Sequence, residues 1–209
     1  MPDFDTVLFD LGGVLTSDPW ESLLLTPGEG IADRLGISRG NAKRIGEEMW
    51  EKYSLRPASE EEYWSELSSR LGIDIPPDLP SRLEPSLLVA NPAANLVIDE
   101  ILARGLSVGL VSETTSFWYP KQERLLNLER VMDPALLFLS FRQGTPKDVD
   151  EGGLFEIAAQ HVVPERSLVV DDRAENLGRA RRHGFEAWEY SMNGRSTSFH
   201  SFLDLLGSA

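Results

Sequence analysis

Residues 5–14 read DTVLFDLGGV. Residues 5–9 (DTVLF) form a short apolar run, and Gly12 and Gly13 bound it with a turn. The pattern predicts a buried strand that delivers Asp10 into that turn. Residues 167–172 read SLVVDD, a second apolar run that ends in Asp171 and Asp172. Runs without apolar/polar alternation suit strands covered on both faces, which belong to parallel sheets. The carboxyl ends of adjacent parallel strands share the crevice where open α/β sheets hold ligands. Three carboxylates meeting there would repel one another unless a hard cation such as Mg²⁺ neutralised them, and oxygen donors suit that ion.

Outward from these two strands the chain alternates helix and strand. Helices are expected over 92–104, 119–130, 150–160, 174–184 and 197–206, with strands over 106–112, 135–140 and 185–190. Pro92 fits a first helical turn, and Gly105 and Gly184 fit helix ends. This rhythm predicts an α/β fold with a parallel sheet and helices on both faces. Residues 16–90 break it. Ile31, Leu35, Ile45, Met49, Trp50 and Tyr53 recur at helical spacing, as do Tyr63, Trp64, Leu67 and Leu71. Ser59 and Glu62 fit a capping box ahead of Trp64, Gly36 and Gly72 fit helix stops, and Pro76, Pro77 and Pro80 read as a linker-like break. With no strand signal in it, the block reads as a helical insertion after the first strand.

Composition narrows the function. The 209 residues carry a net charge of −14 without any block of Lys or Arg, so a nucleic-acid partner is not expected. The chain has no cysteine, which excludes disulfides, thiol catalysis and thiolate zinc sites. His161, His183 and His200 lack metal-ligand spacing. No apolar run approaches the roughly 20 residues of a membrane span, and MPDFDTVLFD lacks a basic leader region. A cytoplasmic protein is the expectation.

Polar residues stand at successive strand ends: Asp10, then Ser112, then Lys147 in the loop FRQGTPK after the third strand, then Asp171 and Asp172. Any one alone reads as a cap, a turn residue or a solvated lysine. Together they support phosphoryl transfer through a covalent intermediate. A carboxylate can attack phosphorus, and a divalent ion, an ammonium and a hydroxyl can offset the charge. Gly12 and Gly13 would let the backbone approach the phosphate and present main-chain groups.

In its motifs the chain resembles the haloacid dehalogenase (HAD) superfamily of hydrolases. The resemblance rests on FDLGGVL within residues 5–15, VGLVS within 106–112, GTPK at 144–147 and LVVDDRAEN at 168–176. It implies a doubly wound Rossmann-like core over 1–15 and 91–209, with a helical cap inserted over 16–90. It further implies Asp10 as nucleophile and metal ligand, Asp172 as a second carboxylate ligand with Asp171 beside it, and the Gly12 carbonyl as a main-chain ligand. Ser112 would hold a phosphate oxygen and Lys147 would neutralise the intermediate. The implied function is Mg²⁺-dependent hydrolysis of the phosphate monoester of a small metabolite.

Three positions depart from the pattern. Gly12 stands where such phosphatases usually carry a second Asp that protonates the leaving group, and general acid–base catalysis is worth about 10²–10⁴-fold. Subgroups resembling sugar-phosphate phosphatases share this Gly. Glu113 stands where an uncharged amide is common; facing inward, it would repel a phosphate or select a cationic group. Asp148 replaces the usual proline after Lys147. Trp20, Trp50, Tyr53, Trp64 and Trp118 are candidates for an apolar substrate pocket, against packing within the cap helices, and Trp118 and Tyr119 for its entrance. Lys52 and Arg56 are weak candidates for reaching a substrate anion. Two alternatives stand beside the phosphatase: a non-catalytic descendant that binds a phosphorylated ligand, favoured by Gly12 and Glu113, and a metal-independent 2-haloacid dehalogenase, disfavoured by Asp171 and Asp172. Exposed cap surfaces could support a homodimer.

Overall fold

The computed structural model describes residues 4–192; the helix expected over 197–206 lies outside them. Five strands form one sheet in the order β3-β2-β1-β4-β5, all parallel: β1 (Thr6–Phe9), β2 (Ser107–Ser112), β3 (Leu137–Leu139), β4 (Ser167–Asp171) and β5 (Glu186–Glu189). β1 lies at the centre, with Phe9 opposite Leu110 on one side and Val170 on the other. The chain reverses its direction of travel across the sheet at β1, and this switch point is where doubly wound sheets open a ligand crevice.

Period-2 alternation explains why both faces are covered. Val7, Phe9, Leu110, Leu168 and Val170 face one apolar cluster, where α6 (Ala94–Ala103) contributes Val97, Ile98 and Ile101. Leu8, Val111, Val169 and Phe138 face the other, where α9 (Leu154–Ala159) contributes Leu154, Phe155 and Ala158, and α10 (Ala174–Arg182) contributes Ala180.

Between β1 and β2 the chain builds five helices: α1 (Pro19–Leu25), α2 (Ile31–Arg34), α3 (Arg39–Tyr53), α4 (Glu60–Leu71) and α5 (Leu79–Leu87). They enclose a separate apolar core. The expected capping box is formed, with Ser59 accepting from the Glu62 N–H at 3.1 Å. Helix α1 was not anticipated. Asp18 caps it by accepting from the Glu21 N–H at 3.2 Å, and Pro19 occupies its first turn, where a missing N–H costs nothing. Pro80 also starts a helix rather than a linker, lying in the first turn of α5.

Other boundaries shift for local reasons. The helix expected over 119–130 stops as α7 (Tyr119–Leu126), because Asn127 takes a left-handed φ of 54°, and a single 3₁₀ turn follows. The third strand is shorter than expected, and part of the anticipated FRQGTPK loop is a helical turn, α8 (Ser140–Gln143). Helix α9 starts only at Leu154, after Gly152 and Gly153. Tyr53 and Trp118 are buried in the core of the insertion, while Trp20 and Trp64 pack into that core and each also borders a surface cleft. Trp118 reaches this core from the segment after β2, stacking on Trp50 with ring centroids 6.1 Å apart. Neither Lys52 nor Arg56 is free: they pair with Glu66 and Glu62. No helix among the described residues is long and apolar enough to cross a membrane.

Candidate active site

Asp10 follows β1 directly, and its N–H donates to the Val170 carbonyl at 2.8 Å, extending the β1–β4 pairing. The residue is 8% exposed. Oδ1 accepts from the Leu11 N–H at 2.7 Å and from the Ser112 hydroxyl at 2.8 Å. It also lies 3.0 Å from Lys147 Nζ. Burial pushes the Asp10 carboxyl up to about 7; Asp171 and Asp172 add to the rise, while Lys147 and Ser112 oppose it.

Lys147 is 1% exposed and lies between two carboxylates, with Nζ 2.6 Å from Asp171 Oδ2 as well as close to Asp10. Burial works against its charge, but Asp10, Asp171 and Glu113 outweigh burial and hold its pKa above the ordinary lysine value. Glu113 Oε1 accepts the main-chain N–H of Lys147 at 2.7 Å. The residue suspected of repelling substrate thus anchors the loop that carries the lysine. Asp171 is fully buried and its oxygens are committed: Oδ2 to Lys147, Oδ1 to the Arg173 N–H at 2.9 Å, and both to the Asn176 amide at 3.1 and 3.2 Å. Asn176 therefore fixes the second acidic strand end, a role the sequence reading left unassigned.

Asp10, Asp171 and Asp172 each offer a carboxylate oxygen, and these oxygens lie within 4.8 Å of one another. Asp172 Oδ1 is buried and has no hydrogen-bond partner among the described residues. An orphaned buried carboxylate oxygen is costly and calls for a cation or water. The Gly12 N–H and carbonyl also have no hydrogen-bond partner among the described residues. Gly13 is held at φ +79°, and a Cβ there would lie 2.3 Å from Asp172 Oδ2; only glycine leaves room for the Asp172 carboxylate where it stands. The Gly13 N–H is spent on the Thr16 carbonyl at 2.7 Å, so it is not offered to a ligand. Hard oxygen donors, one of them orphaned, fit Mg²⁺.

A crevice of about 20 Å³ opens on this cluster, lined by Asp10, Gly12, Asp18, Trp50, Glu113, Lys147, Arg173 and Asn176. Trp50, Glu113, Arg173 and Asn176 continue into a cleft of about 510 Å³ between α1 and α3 of the insertion and α10 of the core. Burial raises the Asp18 carboxyl to about 7, helped by Glu21 and Asp10 and opposed by the Glu21 N–H and Arg173. For the Arg173 guanidinium burial lowers the pKa, but Asp18, Asp10 and Asp172 outweigh it and raise the value. Asp18 and Arg173 were not singled out from sequence. Each reads there as a helix cap or a solvated charge, and their meeting depends on how the insertion folds back.

The sheet order, the insertion after the first strand and the strand-end carboxylates define the fold of HAD-type hydrolases. No family model matches the chain, and no curated protein matches it. Among solved structures it is similar to a HAD family enzyme from Bacteroides thetaiotaomicron, with a TM-score of 0.72 and 17% identity over 95% of this chain and 98% of that one. The complex of that enzyme with magnesium and inorganic phosphate gives 0.68 at 18% identity, over 95% and 99%. A HAD phosphatase from Thermococcus onnurineus gives 0.61 at 17% identity over 98% of each chain, and a dehalogenase gives 0.69 at 18% over the whole of both. The likeness is one of fold.

Proposed function

We propose that the protein is a Mg²⁺-dependent hydrolase of phosphate monoesters of small metabolites, acting through an aspartyl phosphate on Asp10. One observation carries the reading: a buried Asp10 shares its crevice with Lys147, Ser112 and a carboxylate cluster containing an orphaned oxygen. Asp10, Asp172 and the Gly12 carbonyl would hold the ion, with Asp171 at the back of the cluster. When bound, the ion neutralises phosphate charge and polarises the phosphorus centre. Asp10 supplies the attacking oxygen. Ser112 orients that carboxylate now and can turn its hydroxyl to a phosphate oxygen. Lys147 supplies a fixed positive charge where negative charge develops. The magnesium and phosphate complex of the Bacteroides enzyme and the Thermococcus phosphatase support the assignment by analogy of fold. A cleft of about 510 Å³ suits a metabolite-sized group.

The metal-free dehalogenase reading leaves the Asp172 oxygen without purpose. The non-catalytic reading draws on Gly12, which provides no side-chain acid. A metabolite phosphate panel with and without Mg²⁺, run beside Asp10→Asn, decides among them. Turnover that needs Mg²⁺ and vanishes in the variant is expected. No hydrolysis across the panel, or activity unchanged by Asp10→Asn, would overturn the proposal; phosphate-induced thermal stabilisation without turnover would favour a binding protein.

A further inference from the structure

Cleaving an alkyl or aryl phosphate releases an alkoxide or aryloxide unless a proton reaches the departing oxygen. The crevice beside Asp10 must contain a donor for that proton, or the reaction is confined to good leaving groups. Five carboxyl groups stand at or beside it. Asp10 is the attacking group in the reading above. Asp171 is saturated by Lys147, the Arg173 N–H and Asn176. Asp172 belongs to the cation cluster, and Glu113 holds the Lys147 N–H. Asp18 remains.

We propose that Asp18 is the general acid and base of this enzyme, delivered from the start of the helical insertion into the space left by the missing side chain of Gly12. A Cβ built on Gly12 would lie 3.4 Å from Asp18 Oδ2 and 3.5 Å from Asp18 Cα. The Asp18 carboxyl therefore stands where a side chain of residue 12 would project, and it lines the same crevice as Asp10 and Lys147. Its two oxygens divide their work. Oδ1 caps α1 through the Glu21 N–H, while Oδ2 has no hydrogen-bond partner among the described residues and faces Gly12. The cap fixes the carboxyl in place, and the other oxygen is left for chemistry. Arg173 lines the same crevice.

The cycle balances. Asp10 forms a bond to phosphorus as the bond from phosphorus to the leaving oxygen breaks, and the Asp18 carboxyl gives its proton to that oxygen. The resulting Asp18 carboxylate then takes a proton from water as the water oxygen attacks phosphorus. The bond to Asp10 breaks, phosphate leaves, and the Asp18 carboxyl is restored.

This inference rests on the proposed phosphatase reading, and the test separates their failures. The probes are phenyl phosphate and p-nitrophenyl phosphate with Mg²⁺, assayed on the unaltered protein, Asp18→Asn, Asp18→Ser and Asp10→Asn. Asn and Ser both cap helices well, so folding, checked by thermal melting, is retained. In both Asp18 variants kcat/KM for phenyl phosphate should fall about 10²-fold or more, while that for p-nitrophenyl phosphate, whose leaving group needs little help, should change less than about fivefold. Loss of the base should slow hydrolysis of the common intermediate, so both variants should show a burst of nitrophenol before a slow steady state. Gly12→Asp combined with Asp18→Ser should restore phenyl phosphate turnover at least tenfold, because a Cβ at residue 12 makes ordinary contacts and the shorter serine vacates the space its carboxyl would enter. Equal losses on both substrates without a burst, or no loss on either, would overturn the role of Asp18 and leave the phosphatase standing. Activity surviving Asp10→Asn, or no turnover of either ester by the unaltered protein, would overturn both.

Discussion

Without divalent metal the site works against the fold, and the pH dependence of stability should reveal it. Asp10 has an ordinary carboxyl value of 3.8 and is pushed to about 7 in the folded chain, first by burial and then by Asp171 and Asp172. Between those two values the folded state binds more protons than the unfolded state. The contribution of Asp10 is therefore fully present below about pH 4 and is lost as pH rises to about 7 and beyond. The gap is 7 − 3.8, or about 3; at about 1.4 kcal/mol for each tenfold change in proton affinity it amounts to about 4 kcal/mol. Asp10→Asn keeps an oxygen for the Leu11 N–H and the Ser112 hydroxyl but cannot ionise. In urea unfolding with chelator, the stability of the variant relative to the unaltered protein should rise by about 4 kcal/mol from pH 4 to pH 8. Other titrating groups shift both curves alike, so the difference isolates Asp10 unless coupling is strong. Millimolar Mg²⁺ should close much of that gap at pH 8, since a ligand at 100 times its Kd adds about 2.7 kcal/mol. A relative stability of the variant that stays flat from pH 4 to pH 8 would refute the reasoning, because the ionisation of Asp10 would then cost nothing where it is buried.

Two further substitutions probe the surroundings. Lys147→Met removes the cation between Asp10 and Asp171; leaving buried charge unpaired should cost about 3–5 kcal/mol in urea unfolding at pH 8 without metal, together with at least a hundredfold loss of turnover, and a stability loss under 1 kcal/mol would contradict the buried pairing. Gly13→Ala must accommodate a left-handed backbone at about 1–2 kcal/mol and move the Asp172 carboxylate; calorimetry should find Mg²⁺ affinity lowered at least tenfold, and unchanged affinity would remove Asp172 from the cation site.

The sheet was legible because its determinants are local. Val7 to Phe9 and Leu168 to Val170 are apolar on both faces, and that pattern leads to a parallel, covered sheet. The meeting of Asp10, Ser112, Lys147, Asp171 and Asp172 followed from the shared direction of the strand ends. Features set by a single backbone angle were less legible. Asn127 stops α7 through one left-handed residue, and nothing in the helical periodicity before it announces that. Prolines misled for the opposite reason: Pro80 suits the first turn of a helix as well as it suits a linker. The tryptophans were ambiguous because an aromatic at helical spacing can fill a core or line a pocket. Tertiary packing buried Trp118, left Trp50 partly covered at the crevice, and left an edge of Trp20 in the wall of the adjoining cleft.

Asp18 shows why half of the site could not be read from strand ends. The sheet supplies Asp10, Ser112 and the acidic pair, each placed by register along β1, β2 and β4. The insertion supplies Trp50 and Asp18, and their positions depend on where α1 and α3 come to rest. Helix α1 buries Trp20, Leu23 and Leu24 in the core of the insertion. In α3, Gly46 admits the Trp20 ring so closely that a Cβ there would lie 2.6 Å from it. Packing far from the crevice thus sets the depth of α1, and the first residue before that helix carries the carboxyl proposed to move the proton. In the sequence Asp18 is only the cap of a short helix, eight positions past Asp10. The role proposed for it depends on Gly12, which has no side chain to occupy the space that the Asp18 carboxyl fills.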